Sequence, residues 1–182
     1  MPKYRDTTTT KDLRETINLS AKKSLGQHFL LDQNLTDKIA KVAIEPHSDL
    51  SDYTIIEIGP GPGGLTRSIL KHKPKHLYVI ERDERFMDSL EKLCQLNTNK
   101  LTTIIADALE LSISNIGKSP RRIIANLPYN ISTTLLINWL RQVENIEQMT
   151  LMFQREVADR IIAQPSSKAY GRISVITQWL CE

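Results

Sequence analysis

The amino-acid sequence predicts an α/β fold with a mostly parallel sheet covered by helices on both faces. Three observations lead there. Strand-like runs alternate with segments of helical period. Those runs are almost wholly apolar, as in strands buried on both sides. The first run ends in a glycine turn, Gly59-Pro-Gly-Pro-Gly-Gly64, that opens a helix. The 182 residues, 40% hydrophobic and 25% charged, fit one globular domain of ordinary composition.

Residues 1–24 read as a flexible basic arm. Lys3, Arg5, Lys11, Arg14, Lys22 and Lys23 face only Asp6, Asp12 and Glu15, and this imbalance accounts for the whole net charge of +3. Residues 25–182 then form the folded domain. Asp32 is placed to cap a helix through Leu35, Ile39, Val42 and Ala43, which Pro46 ends. A strand over Tyr53–Ile58 leads into the glycine turn and a helix with Leu65, Ile69 and Leu70 on one face.

The second strand is Leu77–Ile80, followed by a charged helix through Phe86, Leu90 and Leu93. The third is Leu101–Ile105. A basic turn, Lys118–Arg122, precedes the fourth at Ile123–Ala125. A helix holding Leu135, Leu136, Trp139 and Leu140 connects to a fifth strand, Met149–Phe153. A helix over Glu156–Ala163 and a sixth strand over Ile173–Leu180 complete the reading. An apolar edge strand without a closing element suggests a sheet cut short before its last strand.

Two cysteines, Cys94 and Cys181, exclude a disulfide framework and point to a reduced, cytoplasmic setting. No Cys/His pattern suits a metal. No run of about 18 apolar residues suits a membrane.

In open parallel sheets ligands bind at the carboxyl ends of the strands. Gly59, Gly61, Gly63 and Gly64 sit at such an end and satisfy the dinucleotide pattern G-x-G-x-x-G, a weak signal alone. Glu81 closes the second strand about twenty residues later, where an acid accepts from ribose hydroxyls. Asp107, after the third strand, is placed to accept from an amino group of adenine. Together they describe an adenosine site, compatible with a nicotinamide dinucleotide or with S-adenosylmethionine. Glu57 favours the second: beside a pyrophosphate it would be a like charge, beside the amino group and sulfonium of S-adenosylmethionine an opposite one. Pro60 and Pro62 also lack the N–H groups that a phosphate cradle uses.

Asn126-Leu127-Pro128-Tyr129 follows the fourth strand and names the chemistry. If the Asn126 side-chain oxygen and the Leu127 carbonyl each accept one hydrogen of a planar amino group such as adenine N6, its nitrogen is drawn toward tetrahedral geometry. The lone pair then points at a methyl donor. Pro128 stiffens the turn, and Tyr129 is placed to stack on a flipped base. Basic residues at Arg67, Lys71, Lys73 and Lys75, and at Lys118, Arg121 and Arg122, are candidates for RNA phosphates.

With these residues in view the chain resembles the bacterial small-subunit ribosomal RNA adenine dimethyltransferases of the kasugamycin-sensitivity type. Further support comes from Leu25-Gly-Gln-His-Phe-Leu30, Asn130-Ile-Ser-Thr133, Phe153-Gln-Arg-Glu-Val-Ala158 and Tyr170-Gly-Arg-Ile-Ser-Val175. The resemblance implies a Rossmann-like class I S-adenosylmethionine-dependent methyltransferase fold. It also implies methylation of two adjacent adenosines near the 3′ end of small-subunit RNA, in an immature small ribosomal subunit. It assigns cofactor contact to Gln27, His28 and Leu30, with His28 standing where asparagine is common. Residues 25–182 would be the catalytic domain of a longer protein whose helical C-terminal domain lies outside this sequence, expected as a monomer. Three alternatives stay open: a large-subunit adenine methyltransferase of the macrolide-resistance type, a non-catalytic assembly factor, and a nicotinamide enzyme.

Overall fold

The computed structural model describes residues 29–30 and 32–182. The expected arm, with Gln27 and His28, lies outside the described residues. Five parallel strands, β1 (Thr54–Ile58), β2 (His76–Glu81), β3 (Leu101–Ile105), β4 (Arg121–Asn126) and β5 (Gln148–Met152), form one sheet in the order β3-β2-β1-β4-β5. The chain reverses direction across the sheet between β1 and β4, which opens a crevice at their carboxyl ends.

Alternation along each strand divides the core into two layers. Ile55 of β1, Leu77 and Val79 of β2 and Ile124 of β4 face helices α1 (Gln33–Ile44), α2 (Gly64–Lys71) and α3 (Met87–Leu96). Ile56, Ile58, Ile80, Ile123 and Ala125 face α4 (Ser132–Leu140), whose Trp139 is almost fully buried. Between β3 and β4 the chain makes only two short 3-10 turns, Ala108–Glu110 and Ile113–Asn115.

Asp32 caps α1 as its position implies, accepting from Asn34 N–H at 2.9 Å. The buried face of α1 differs from the expected one. Thr36, Ala40, Ala43 and Ile44 are inside, while Leu35 and Val42 are exposed. The helix is turned by polar contacts with α2: Ser68 Oγ donates to Asp37 Oδ1 at 2.7 Å and lies 2.9 Å from Thr36 Oγ1.

The expected sixth strand is a helix. After α5 (Arg155–Ile161), residues Arg172–Leu180 form α6. The β-branched residues Ile173, Val175, Ile176 and Thr177 favour a strand by propensity. Tertiary hydrogen bonds override that preference: buried Ser174 Oγ donates to the Arg160 carbonyl, and Gln178 Nε2 reaches the carbonyls of Ile161 and Ala163 at 2.8 and 2.9 Å. Ile173, Ile176 and Thr177 recur at helical spacing on the half-buried side.

Two of the arginines expected at RNA phosphates are internal. Arg121 donates to the carbonyls of Ile116, Ser114 and Gly117 at 2.8 to 2.9 Å. Arg122 lies 3.9 Å over the Tyr53 ring, pairs with Glu147 at 2.8 Å and donates to the Ala43 carbonyl. Both stand at the amino ends of the strands, away from the crevice. Arg67, 6% exposed, is also inside. Arg121→Ala strands three carbonyls and is expected to cost about 2–4 kcal/mol of stability. Urea unfolding measures it; a surface arginine serving phosphate would leave the midpoint within about 0.5 kcal/mol of the parent.

Candidate active site

Four strand ends deliver the site. β1 runs into the glycine turn, where Gly61 has φ +54°. A Cβ there would lie 3.1 Å from the Phe29 ring, and one on Gly64 would lie 2.5 Å from the Leu30 carbonyl oxygen. The Phe29–Leu30 segment therefore straps across the turn at a distance that only glycine permits. Phe29 is held from behind by an edge-on contact with Phe86 at 5.3 Å.

Glu81 ends β2 and locks the turn. Its Oε2 accepts from Gly61 N–H at 3.0 Å, and its Oε1 accepts from Arg82 and Asp83 N–H at 2.9 and 2.8 Å. Burial pushes its carboxyl up, against the pull of the donors from Asp83, Gly61 and Arg82. Three of about four acceptor positions are filled by backbone, leaving one on Oε2 for a hydroxyl.

Asp107 follows β3 and does two things at once. Oδ1 caps the next turn by accepting from Leu109 N–H at 3.0 Å, and Oδ2 pairs with the exposed Arg82 guanidinium at 2.9 Å. Asn126 ends β4 in register with Met152, the last residue of β5. Leu127 turns its side chain into the core, so its backbone is what it presents to the crevice. Pro128 lies within 3.9 Å of where a Cβ on Gly59 would sit.

These residues line one hollow: Gly59, Gly61, Glu81, Asp107, Asn126, Leu127 and Pro128 share it with Phe29, Arg82 and Asp83. A smaller recess beneath the strap is lined by Leu30, Glu57, Gly64 and Asn126 among others. Tyr129 is half-buried beyond Pro128 and lines neither. Sequence reasoning gave no role to Phe29, Arg82 or Asp83. Phe29 was detectable as the one aromatic in the short apolar run Phe29-Leu-Leu31 ahead of α1, whereas the reach of Arg82 to Asp107 has no sequence signal.

Glu57 is 1% exposed, and its Oε2 has no hydrogen-bond partner. Burial pushes its carboxyl up to about 8. Thr66, whose hydroxyl lies near but outside hydrogen-bond geometry, and the Arg67 guanidinium pull it down, while Glu81 adds to the rise. An unsatisfied buried carboxyl beside a recess is suited to a cationic group. Among the described residues no cluster of His, Cys, Asp and Glu could hold a metal, and no helix is long and apolar enough to cross a membrane.

Residues 18–182 match the family model described as ribosomal RNA adenine dimethylase. The chain is 50% identical to ribosomal RNA small subunit methyltransferase A of Paramagnetospirillum magneticum over 173 residues, which cover 93% of this chain and 60% of that protein. It is equally similar to the protein of that name from Rhodospirillum rubrum, of which 59% is covered. The chain thus spans about three fifths of the length of these curated relatives. Among solved structures, a dimethyladenosine transferase from Plasmodium falciparum superposes with TM-score 0.72 at 28% identity, covering 85% of this chain and 54% of that one. The 23S rRNA methyltransferase ErmE superposes with TM-score 0.63, also at 28% identity, covering 82% and 55%. These relatives fit the expected family and the class I methyltransferase fold.

The raised Glu57 carboxyl sets a pH dependence of stability. The unfolded chain releases this proton near 4.5 and the folded one near 8, so stability is full below the first value and falls between the two. Glu57→Gln is expected to flatten that slope and to be the more stable protein at pH 8, by an amount on the order of a few kcal/mol. Urea midpoints from pH 5 to 9 test it; parallel curves for the two proteins contradict it.

Proposed function

This chain belongs to the ribosomal RNA adenine dimethylase family, and on that premise we propose that it transfers methyl groups to N6 of adjacent adenosines near the 3′ end of small-subunit ribosomal RNA. The observation that carries the reading is the gathering of Glu57, Glu81, Asp107 and Asn126 around adjoining hollows at the carboxyl ends of β1 to β4. The residues present fit S-adenosylmethionine. The unpaired Glu57 Oε2 suits its amino group, the open acceptor position on Glu81 suits a ribose hydroxyl, and Asp107 suits the adenine amino group once Arg82 yields. Leu30 closes the recess from the strap. Gln27 and His28 are proposed to continue that contact.

When bound, S-adenosylmethionine supplies an electrophilic methyl group on a sulfonium that leaves as a neutral thioether. Asn126 and the Leu127 carbonyl accept the two N6 hydrogens of the target adenine and localise the nitrogen lone pair. Pro128 limits the freedom of the Leu127 carbonyl, and Tyr129 offers an aromatic face to the flipped base. The attacking nitrogen becomes a cationic ammonium that loses a proton to water, so no strong base is needed beforehand. Catalysis is positioning and electrostatics.

The reaction partner in this reading is an immature small ribosomal subunit, and the setting the cytoplasm. The chain acts as a monomer, with residues 25–182 as its catalytic domain. Incubation with labelled S-adenosylmethionine and immature subunits should place label on adjacent adenosines of the small-subunit RNA. Label on large-subunit RNA alone, or on neither, contradicts the proposal. Asn126→Ala removes one of the two acceptors and is expected to cost about 1–3 kcal/mol of transition-state stabilisation, roughly a 5- to 150-fold loss of kcat/KM. Undiminished methylation by this variant removes Asn126 from the role.

A further inference from the structure

The strap and α1 are both laid along one stripe of α2. Gly64, Ser68 and Lys71 stand at helical spacing i, i+4 and i+7, so they follow one another on a single face of that helix. The Leu30 carbonyl closes over Gly64 at the start of the stripe. Three residues after Leu30, α1 begins and crosses the rest of it. Ser68 Oγ, fully buried, donates to Asp37 Oδ1 at 2.7 Å. Gln33 Nε2 donates to Ser68 Oγ at 2.8 Å and to Asp37 Oδ1 at 3.0 Å. Lys71 Nζ donates to both Asp37 oxygens, at 2.8 and 2.9 Å.

The two halves of α1 are held by different forces. Its carboxyl half is fixed by apolar burial at Ala40, Ala43 and Ile44. Its amino half leads back to the strap, leaves Leu35 outside and sets polar side chains against α2. Apolar contact is non-directional, so a helix held by it alone rolls or slides at small cost. Hydrogen bonds weaken steeply outside a narrow range of distance and angle, so a cluster of them admits one rotation. Burying hydroxyls at Thr36 and Ser68 carries a desolvation cost that an apolar pair would avoid. What the polar choice adds is a single position for the amino end of α1.

We propose that the cluster of Gln33, Asp37, Ser68 and Lys71 is a positioning device for the methyl-donor site: it fixes α1 on α2 in the rotation that lays Phe29 and Leu30 across the glycine turn. None of the four residues lines the hollow or the recess, so the cluster acts on a ligand through the strap, which lines both. The inference rests on the proposed function for the identity of that ligand.

Asp37→Ala removes the acceptor shared by Ser68, Gln33 and Lys71 at a partly exposed position. Titration calorimetry with S-adenosylmethionine, at one pH and well below the unfolding temperature, on the parent, Asp37→Ala, Phe29→Ala and the double variant reads the link to the strap. Each single change is expected to weaken binding about tenfold, and the double change also about tenfold rather than about a hundredfold, because both remove the same contact. Urea midpoints of the four proteins accompany the affinities.

A cluster that served stability alone would lower the urea midpoint of Asp37→Ala and leave its Kd equal to that of the parent, which overturns the proposal. A double variant weakened by the product of the two single effects also overturns it, since α1 would then reach the ligand by a route other than the strap. Unchanged binding by Phe29→Ala does the same. Where Asp37→Ala does not fold, Ser68→Ala removes the central hydroxyl and is judged by the same outcomes. Absence of binding by the parent overturns the proposed function instead, and this inference falls with it.

Discussion

Three backbone N–H groups converge on the buried carboxylate of Glu81, and the shape of the site depends on that convergence. One donor comes from Gly61, in the turn after β1, and two from the residues that follow Glu81 itself. The end of one strand is thereby bolted to the turn of its neighbour. Gly59 N–H adds a further bond to the Ile80 carbonyl at 2.9 Å. Because the turn is fixed by the protein's own groups, little ordering remains for a ligand to impose, and that preorganisation favours affinity.

Two buried carboxyls of neighbouring strands are treated in opposite ways. Glu81 is almost saturated with donors. Glu57, directly paired with Val79 in the β1–β2 register and so two residues short of Glu81, keeps one oxygen without a partner. The first is a fastening that can also accept a ligand hydroxyl. The second is left without a donor by the protein, as a cation site at Glu57 in the proposed function requires. Local strain of this kind gathers at binding sites because the surrounding core is rigid enough to sustain it. Here that core is the pair of isoleucine-rich layers on either side of β1.

The sheet was legible because parallel strands buried on both faces leave continuous apolar runs, as in Ile55–Ile56 and Ile123–Ile124. Glu57, Glu81, Asp107 and Asn126 were legible because they stand at the ends of those runs, where the chain must emerge into the crevice. The misreadings share one cause. Arg121, Arg122 and Arg67 look like surface charges in a sequence, since Arg121 and Arg67 grip backbone carbonyls, which every residue has, and the Tyr53 ring, Glu147 and Ala43 carbonyl that hold Arg122 lie far off along the chain. Ile173–Leu180 looks like a strand because its β-branched side chains are local information. The bonds from Ser174 and Gln178 that hold it as a helix reach back to residues more than ten positions away. Protonation of Glu57 was likewise beyond reach, since it is set by burial rather than by residue type.

The Arg82–Asp107 pair makes the free protein a competitor for its own acceptor. On the proposed function, a donor amino group that takes the Oδ2 position held by the guanidinium at 2.9 Å binds with the intrinsic affinity reduced by the fraction of molecules with the pair open. A pair closed about nine-tenths of the time weakens binding about tenfold. Arg82 is largely exposed, so dissolved ions loosen the pair and raise that open fraction. Added salt, which weakens a protein's grip on a polyanion, would here act in the opposite sense on a small ligand. On the proposed function, the small donor and the RNA would then answer ionic strength with opposite signs.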